Sequence, residues 1–214
     1  MRGAGPLHYN SANDPGGTVT TLAQTLPHPR DRSARLALDI GLVVLASLLV
    51  AASAQLTIHL RFVPITMQTL AVLLVGATLG SLRGGAAIGL YLAEGASGFP
   101  FFAEGKGGLD YLILRDPLHA SGGYLWGFLL AAVLVGFLAE RGWDRNVGSA
   151  LGAMFLGNVV IYLVGLPWLA AAIGMSVEDA LPFGLYPFII GDTIKLLLAA
   201  GALPLAWHLI GKRS

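Results

Sequence analysis

The sequence predicts an all-α, polytopic membrane protein, and three observations predict it. Only 12% of its 214 residues are charged while 55% are hydrophobic, about half the roughly 25% charge of an ordinary soluble domain. Mean hydropathy is +0.71. From Leu36 onward the apolar residues fall in blocks long enough for helices crossing a hydrocarbon core of about 30 Å, which takes roughly 20 residues each. The 29 glycines lie largely inside apolar runs, where membrane helices tolerate them better than soluble ones do.

Residues 1–35 have mixed polar composition, Pro and Gly breaks and no sustained apolar period, so they predict a flexible or loosely docked tail preceding a membrane domain at 36–214. No basic start followed by a compact apolar stretch precedes Leu36, so no signal peptide is expected and the first span is retained. Six spans fit, at about 36–56, 64–82, 84–102, 121–139, 147–173 and 183–210. With the N-terminus inside, the cytoplasmic side holds nine cations: Arg2, Arg30, Arg32, Arg35, Arg83, Arg141, Arg145, Lys212 and Arg213. The opposite side holds Arg61, Lys106 and Arg115. Positive charge is retained on the cytoplasmic side during insertion, so both termini are expected there. The outer loops are then 57–66, 103–120 and 174–182.

Several functions are excluded. Thirteen Lys/Arg against twelve Asp/Glu give a net charge of +1, which offers nothing to nucleic acid. Without cysteine there is no thiol catalysis or thiolate-held metal, and five scattered histidines give no metal pattern, so no metal or cofactor is expected. No GxxxxGK[ST] phosphate loop is present, so the chain cannot hydrolyse ATP through that machinery by itself. GxSxG, HExxH and a cysteine nucleophile are also missing, which weakens an enzyme reading.

Lipid supplies no hydrophobic drive between helices, so small residues that admit close backbone approach carry the packing. Gly76 with Gly80, Gly85 with Gly89, Gly123 with Gly127 and Ala153 with Gly157 are each four apart, on one helix face, and predict internal contacts. The first span pairs Ala37 with Gly41 and Ser47 with Ala51. That face fits internal packing or a docking surface for another membrane protein.

Ionisable groups inside spans are expensive and mark sites by default. Asp39 lies near the inner boundary with Arg32 and Arg35, where an interfacial ion pair is expected. Glu94 sits about 15 Å into the third span, too deep for a short carboxylate to snorkel. It is protonated, bonded to a neighbouring backbone, or part of a site. Asp192 and Lys195 are three apart on one face of the last span, roughly 13–18 Å below its outer end. They either neutralise each other or form a site. Asn158 and Tyr162 share a face of the fifth span, so a pocket between the fifth and sixth spans is expected, with Trp168 and Trp126 as walls. A cation, a carboxylate, an amide and a phenol suit a small molecule with an acid group and a polar head joined by apolar carbon.

Five ordered segments, VPITMQTLAVLLVGATLG (63–80), YLAEGASGFPFFAEGKGG (91–108), SGGYLWGFLLAAVLVG (121–136), GNVVIYLVGLPWL (157–169) and GDTIK (191–195), resemble the BioY family, the substrate-binding S components of energy-coupling factor biotin transporters. The resemblance runs from about residue 36 to the end and departs at DYLILRDPLHA (110–120), where the family usually runs shorter. It implies a six-helix protein of the bacterial inner membrane that takes up biotin, with the loop after the first helix as a lid. Partners are a transmembrane T component and two ATPases, docked partly on the first helix through Ala37, Gly41, Ser47 and Ala51. The substrate-binding residues it implies are Asp192, Lys195, Asn158, Gly122, Gly123 and Tyr124, with Thr66 and Gln68 in the lid region and Tyr162 from the pocket above. Lys195 would meet the biotin carboxylate. An S component for another small vitamin, or an intramembrane enzyme using Asp192 and Glu94, are the competing readings.

Overall fold

Asp31 accepts a hydrogen bond from the Ala34 amide (3.3 Å) and so starts α1 (Arg32–Gln55). The computed structural model describes residues 21–26, 29, 31–114 and 116–211; Arg2, Arg30, Arg115, Lys212 and Arg213 of the charge pattern lie outside them. A short antiparallel ribbon follows α1, β1 (Thr57–Ile58) pairing with β2 (Ile65–Thr66) in the register Thr57 to Thr66. Then come α2 (Gln68–Leu79), α3 (Ser81–Ala96), the single turn α4 (Asp110–Ile113), α5 (Gly122–Ala139), α6 (Val147–Ile173), the short α7 (Val177–Gly184) and α8 (Ile189–Gly211). Helix α5 lies at the centre, packed on α2, α3 and α6.

Among the described residues, four segments are long and apolar enough to cross a membrane: Arg32–Gln55, Pro117–Ala139, Val147–Ile173 and Val177–Ile210. The expected spans at 64–82 and 84–102 are shorter as helices, 12 residues in α2 and 16 in α3. Extended backbone at 65–66 delays α2, and Gly80 at φ 86° ends it and starts α3 at once. The last expected span, 183–210, begins instead at Ile189, because the YPF turn at 186–188 intervenes. Pro187 has no N–H to give a helix and disfavours helical geometry in the residue before it.

The small residues act as backbone contacts. A Cβ on Gly76 would lie 2.6 Å from the Ala132 carbonyl oxygen, and one on Gly127 would lie 2.9 Å from the Ile161 backbone. Gly85 is closed by the Val133 side chain instead, and Gly89 has nothing near it. The first helix divides its expected docking set. Ser47 and Ala51 are buried in the bundle, while Ala37 and Gly41 are exposed. On the outside, Leu45, Leu163 and Ile190 are 67, 68 and 76% exposed. An apolar exterior around buried polar residues is the pattern lipid requires.

Asp39 pairs with Arg83 of α3 (2.8 Å) rather than with Arg32 or Arg35. Two parallel helices, α1 and α3, are thereby joined across the bundle instead of one helix being joined to its own start. Within the tail, Leu22–Thr25 forms a 3-10 turn against α2, with Thr21 and Ala23 buried, so this part of the tail is docked.

Candidate functional site: a polar floor under an aromatic cavity

Asp192 falls in the first turn of α8, nearer the helix end than the sequence implied, because α8 starts at Ile189. A carboxylate there is favoured by the helix dipole. Three residues later, on the same face, Lys195 places its Nζ 2.9 Å from Asp192 Oδ1. Both residues are buried. Lys195 also donates to the Thr66 carbonyl (2.8 Å) and to Thr69 Oγ1 (3.0 Å), tying α8 to the end of the ribbon and the start of α2. Thr69 in turn donates to Asp192 Oδ1 (3.2 Å). The other oxygen, Asp192 Oδ2, accepts from Tyr162 OH (2.5 Å) and Asn158 Nδ2 (3.3 Å) of α6. One carboxylate and one ammonium thus hold three helices together at a single point.

Above this network lies a cavity of about 730 Å³, its open mouth included. Thr66, Gln68, Thr69, Tyr162 and Lys195 form its polar floor. The walls are aromatic: Phe62, Phe102, Tyr111, Tyr124, Phe128 and Phe188. Gln68 donates to Tyr91 OH (2.7 Å), and the Thr66 hydroxyl donates to Gln68 Oε1 (3.2 Å), which fixes the amide. Tyr124 donates to the Gly184 carbonyl (2.9 Å) and meets Tyr162 edge-on, 6.2 Å between centroids. The 57–66 ribbon closes one side through Phe62, whose ring packs edge-on against Phe183 of α7 at 5.3 Å.

The mouth is charged. Glu104 and Lys106 line it, paired at 2.6 Å, and His59 Nε2 lies 3.4 Å from Glu104. Gln55, the last residue of α1, holds this loop, accepting from the Gly105 amide (3.1 Å) and donating to the Phe102 carbonyl (3.2 Å).

The expected site residues therefore have different positions. Thr66, Gln68, Tyr124, Tyr162 and Lys195 line the cavity. Asn158 and Asp192 stand behind the floor and face a crevice between α6 and α8 on the outer surface. The pocket expected between those two helices alone is instead shared by the ribbon, α2, α5, α6, α8 and the 102–111 loop. Gly122 and Gly123 do not line it. Trp168 packs against both, and a Cβ on either would overlap it or the Tyr111 carbonyl. Neither tryptophan is a wall: Trp168 donates to the His119 carbonyl (3.2 Å) and Trp126 to the Leu112 carbonyl (3.0 Å). Glu94 lies apart from the cavity with a buried Oε2 that has no partner among the described residues. Thr69 escaped the sequence reading: it joins the floor from the first turn of α2 through Lys195 and Asp192, partners on another helix. Phe102, the last residue of FPFF and the one of its three phenylalanines that lines the cavity, had only its hydrophobicity to signal it.

Comparison with known proteins gives the family and the fold. The BioY family model matches residues 24–212. A biotin transporter BioY of Rhizobium etli is 37% identical over 172 residues, covering 76% of this chain and 89% of that protein. The biotin transporter BioY of Rhodobacter capsulatus is 39% identical over 167 residues, covering 72% and 84%. Among solved structures, the S-component for biotin from an ECF-type ABC transporter aligns with TM-score 0.69 at 24% identity, over 82% of this chain and 93% of that one, and the fold is shared. With four segments among the described residues long and apolar enough to cross a bilayer and relatives named as transporters, the chain is a multi-pass membrane protein, and it belongs to the BioY family.

Proposed function

We propose that this chain takes up biotin as the substrate-binding S component of an energy-coupling factor transporter in the bacterial cytoplasmic membrane. The observation that carries the reading is the cavity over the Asp192–Lys195 network, in a chain 37% identical to a biotin transporter. Biotin has a ureido group with one acceptor and two donors, an apolar bicycle and chain, and a carboxylate. Gln68, Thr66 and Tyr162 offer the mixed donors and acceptors a ureido group needs, and the aromatic walls match the apolar middle. Lys195 braces the floor through Thr66, Thr69 and Asp192, while Asp192 and Asn158 orient it from behind. Gly122 and Gly123 act indirectly, by letting Trp168 seal the start of α5.

The chain crosses the membrane six times in this reading, with both termini in the cytoplasm. Among the described residues, Arg32, Arg35, Arg83, Arg141 and Arg145 gather at one end, against Arg61 and Lys106 at the other, which supports placing the cavity outside. At 1.5 Å per residue α2 is about 18 Å long, and the two extended residues of β2 before it add about 7 Å, which together make up most of the apolar thickness of a membrane. A T component and two ATPases supply the energy, and the exposed Ala37–Gly41 face of α1 suits close approach by a partner helix.

Equilibrium binding of radiolabelled biotin to the purified chain tests this. About one equivalent should be retained without nucleotide, and ATP should be hydrolysed only when the partners are added. Retention of another vitamin but not biotin overturns it.

A further inference from the structure

Lys195 is the cation the sequence offers to an acid, yet its ammonium is fully used. An ammonium has three N–H donors, and here they go to Thr66 O, Thr69 Oγ1 and Asp192 Oδ1. A ligand carboxylate placed there would also face Asp192, a like charge. The cavity holds another cation. Lys106 lines the mouth with its side chain 45% exposed, and its ion-pair partner is Glu104, 2.6 Å away. Glu104 is the more enclosed of the two, 17% exposed, and its other oxygen lies 3.4 Å from His59 Nε2. Its backbone is left-handed (φ 65°), unusual for a residue with a side chain. The turn is held by the Phe102 amide donating to the Lys106 carbonyl (2.8 Å) and by Gln55. A carboxylate bonded to an ammonium inside a cavity mouth is the contact a ligand's acid group would make.

We propose that Lys106 receives the carboxylate of the ligand and that Glu104 occupies its place in the empty site. The ligand then lies with its neutral polar head on the floor formed by Thr66, Gln68 and Tyr162 and its acid end at the mouth. When the acid arrives, Glu104 yields Lys106 and keeps His59 as its partner. Specificity is divided accordingly: the floor reads the head, which no derivative of the tail alters, and the mouth reads the charge. This rests on the reading of the ligand as biotin.

Calorimetric titration of the purified full chain with biotin and with biotinamide, which lacks the carboxylate, tests the assignment. Lys106→Met should weaken biotin about tenfold and biotinamide by no more than about twofold, since a charge-assisted hydrogen bond is lost for one ligand only. Retained amide binding shows that the variant is folded. Lys106→Arg should restore most of the loss. Glu104→Gln should tighten biotin roughly threefold, because a competitor for Lys106 is removed, and leave biotinamide unchanged. Equal loss of both ligands in Lys106→Met, no loss of either, or weaker biotin binding in Glu104→Gln overturns the assignment while the biotin reading stands. A wild-type chain that binds neither ligand overturns both.

Discussion

At the end of the bundle where α3 and α6 begin, helices touch through backbone: Gly136 is closed against Gly80 and Ser81, and Glu140 accepts from the Ser81 amide at 2.7 Å. At the opposite end the helices stand apart, and side chains and irregular loops fill the space between them, from the Asp192–Lys195 floor to the Gln55-held turn at 102–106. The first arrangement has no slack, since nothing lies between two backbones that can change rotamer. The second is closed by groups that rotate, so it can admit a ligand without moving the frame. One end of the molecule should therefore be sensitive to residue size, and the other to polarity.

The largest effect is expected at the polar end. Lys195→Met leaves Asp192 buried without its cation, and breaking such a pair by removing one partner costs about 3–5 kcal/mol. Thermal unfolding in detergent should show it. Replacing both partners together, by Asp192→Asn with Lys195→Met, should recover most of that stability without recovering biotin binding. Recovery of binding as well would show that the pair only neutralises itself.

Next is the backbone-packed end. Gly136→Leu must push α5 from the α2–α3 corner, and overpacking typically costs about 1–3 kcal/mol. Biotin affinity of the surviving folded fraction should stay near wild type, because the cavity is at the other end. A variant that keeps its stability and loses affinity would break the division.

Smaller effects sharpen the division along α1. Ala37→Leu or Gly41→Leu, on the exposed face, should cut co-purification with a T component about tenfold and leave both stability and biotin binding alone. Ser47→Leu and Ala51→Leu, at buried positions, should lower the unfolding temperature instead. The reverse pattern would mean that α1 presents its other face to the partner.

The smallest effect is expected at Asp144, in the α5–α6 loop at the packed end. Its Oδ2 accepts from Trp207 Nε1 (2.6 Å), its Oδ1 is buried without a partner among the described residues, and burial pushes its pKa up, against the Trp207 hydrogen bond. A carboxyl whose pKa is raised on folding holds its proton more tightly in the folded state, so its contribution falls as pH rises above the unfolded value of about 3.9. Asp144→Asn keeps an acceptor for Trp207 and removes the charge. It should match wild type near pH 4 and be equally or slightly more stable at pH 7, by melting temperature.

Some of this was legible from residue spacing. The three-residue interval between Asp192 and Lys195 survives any error in helix ends, so their shared face could be read directly, as could the four-residue small pairs that became the Gly76 and Gly127 contacts. Partners on other helices could not. Arg83 for Asp39, and Thr69 for both members of the floor, depend on how α3 and α2 lie against their neighbours, which no single-helix pattern encodes. Helix depth failed at α8 because hydropathy runs straight through Pro187, while the backbone breaks there. Tryptophans in apolar runs look like walls from sequence. Whether they face a cavity depends on what stands opposite them, and here Gly122 and Gly123 let Trp168 close up against the start of α5.

The central claim is that the cavity over Asp192 and Lys195 holds biotin and leaves it chemically unchanged. Mass spectrometry of the small molecules released when the chain is purified from cells grown with mixed vitamins and then denatured tests it most directly. Intact biotin at close to one per chain, lost from the Asp192→Asn, Lys195→Met double variant, is the predicted result; a different vitamin, or an altered form of biotin, would contradict it.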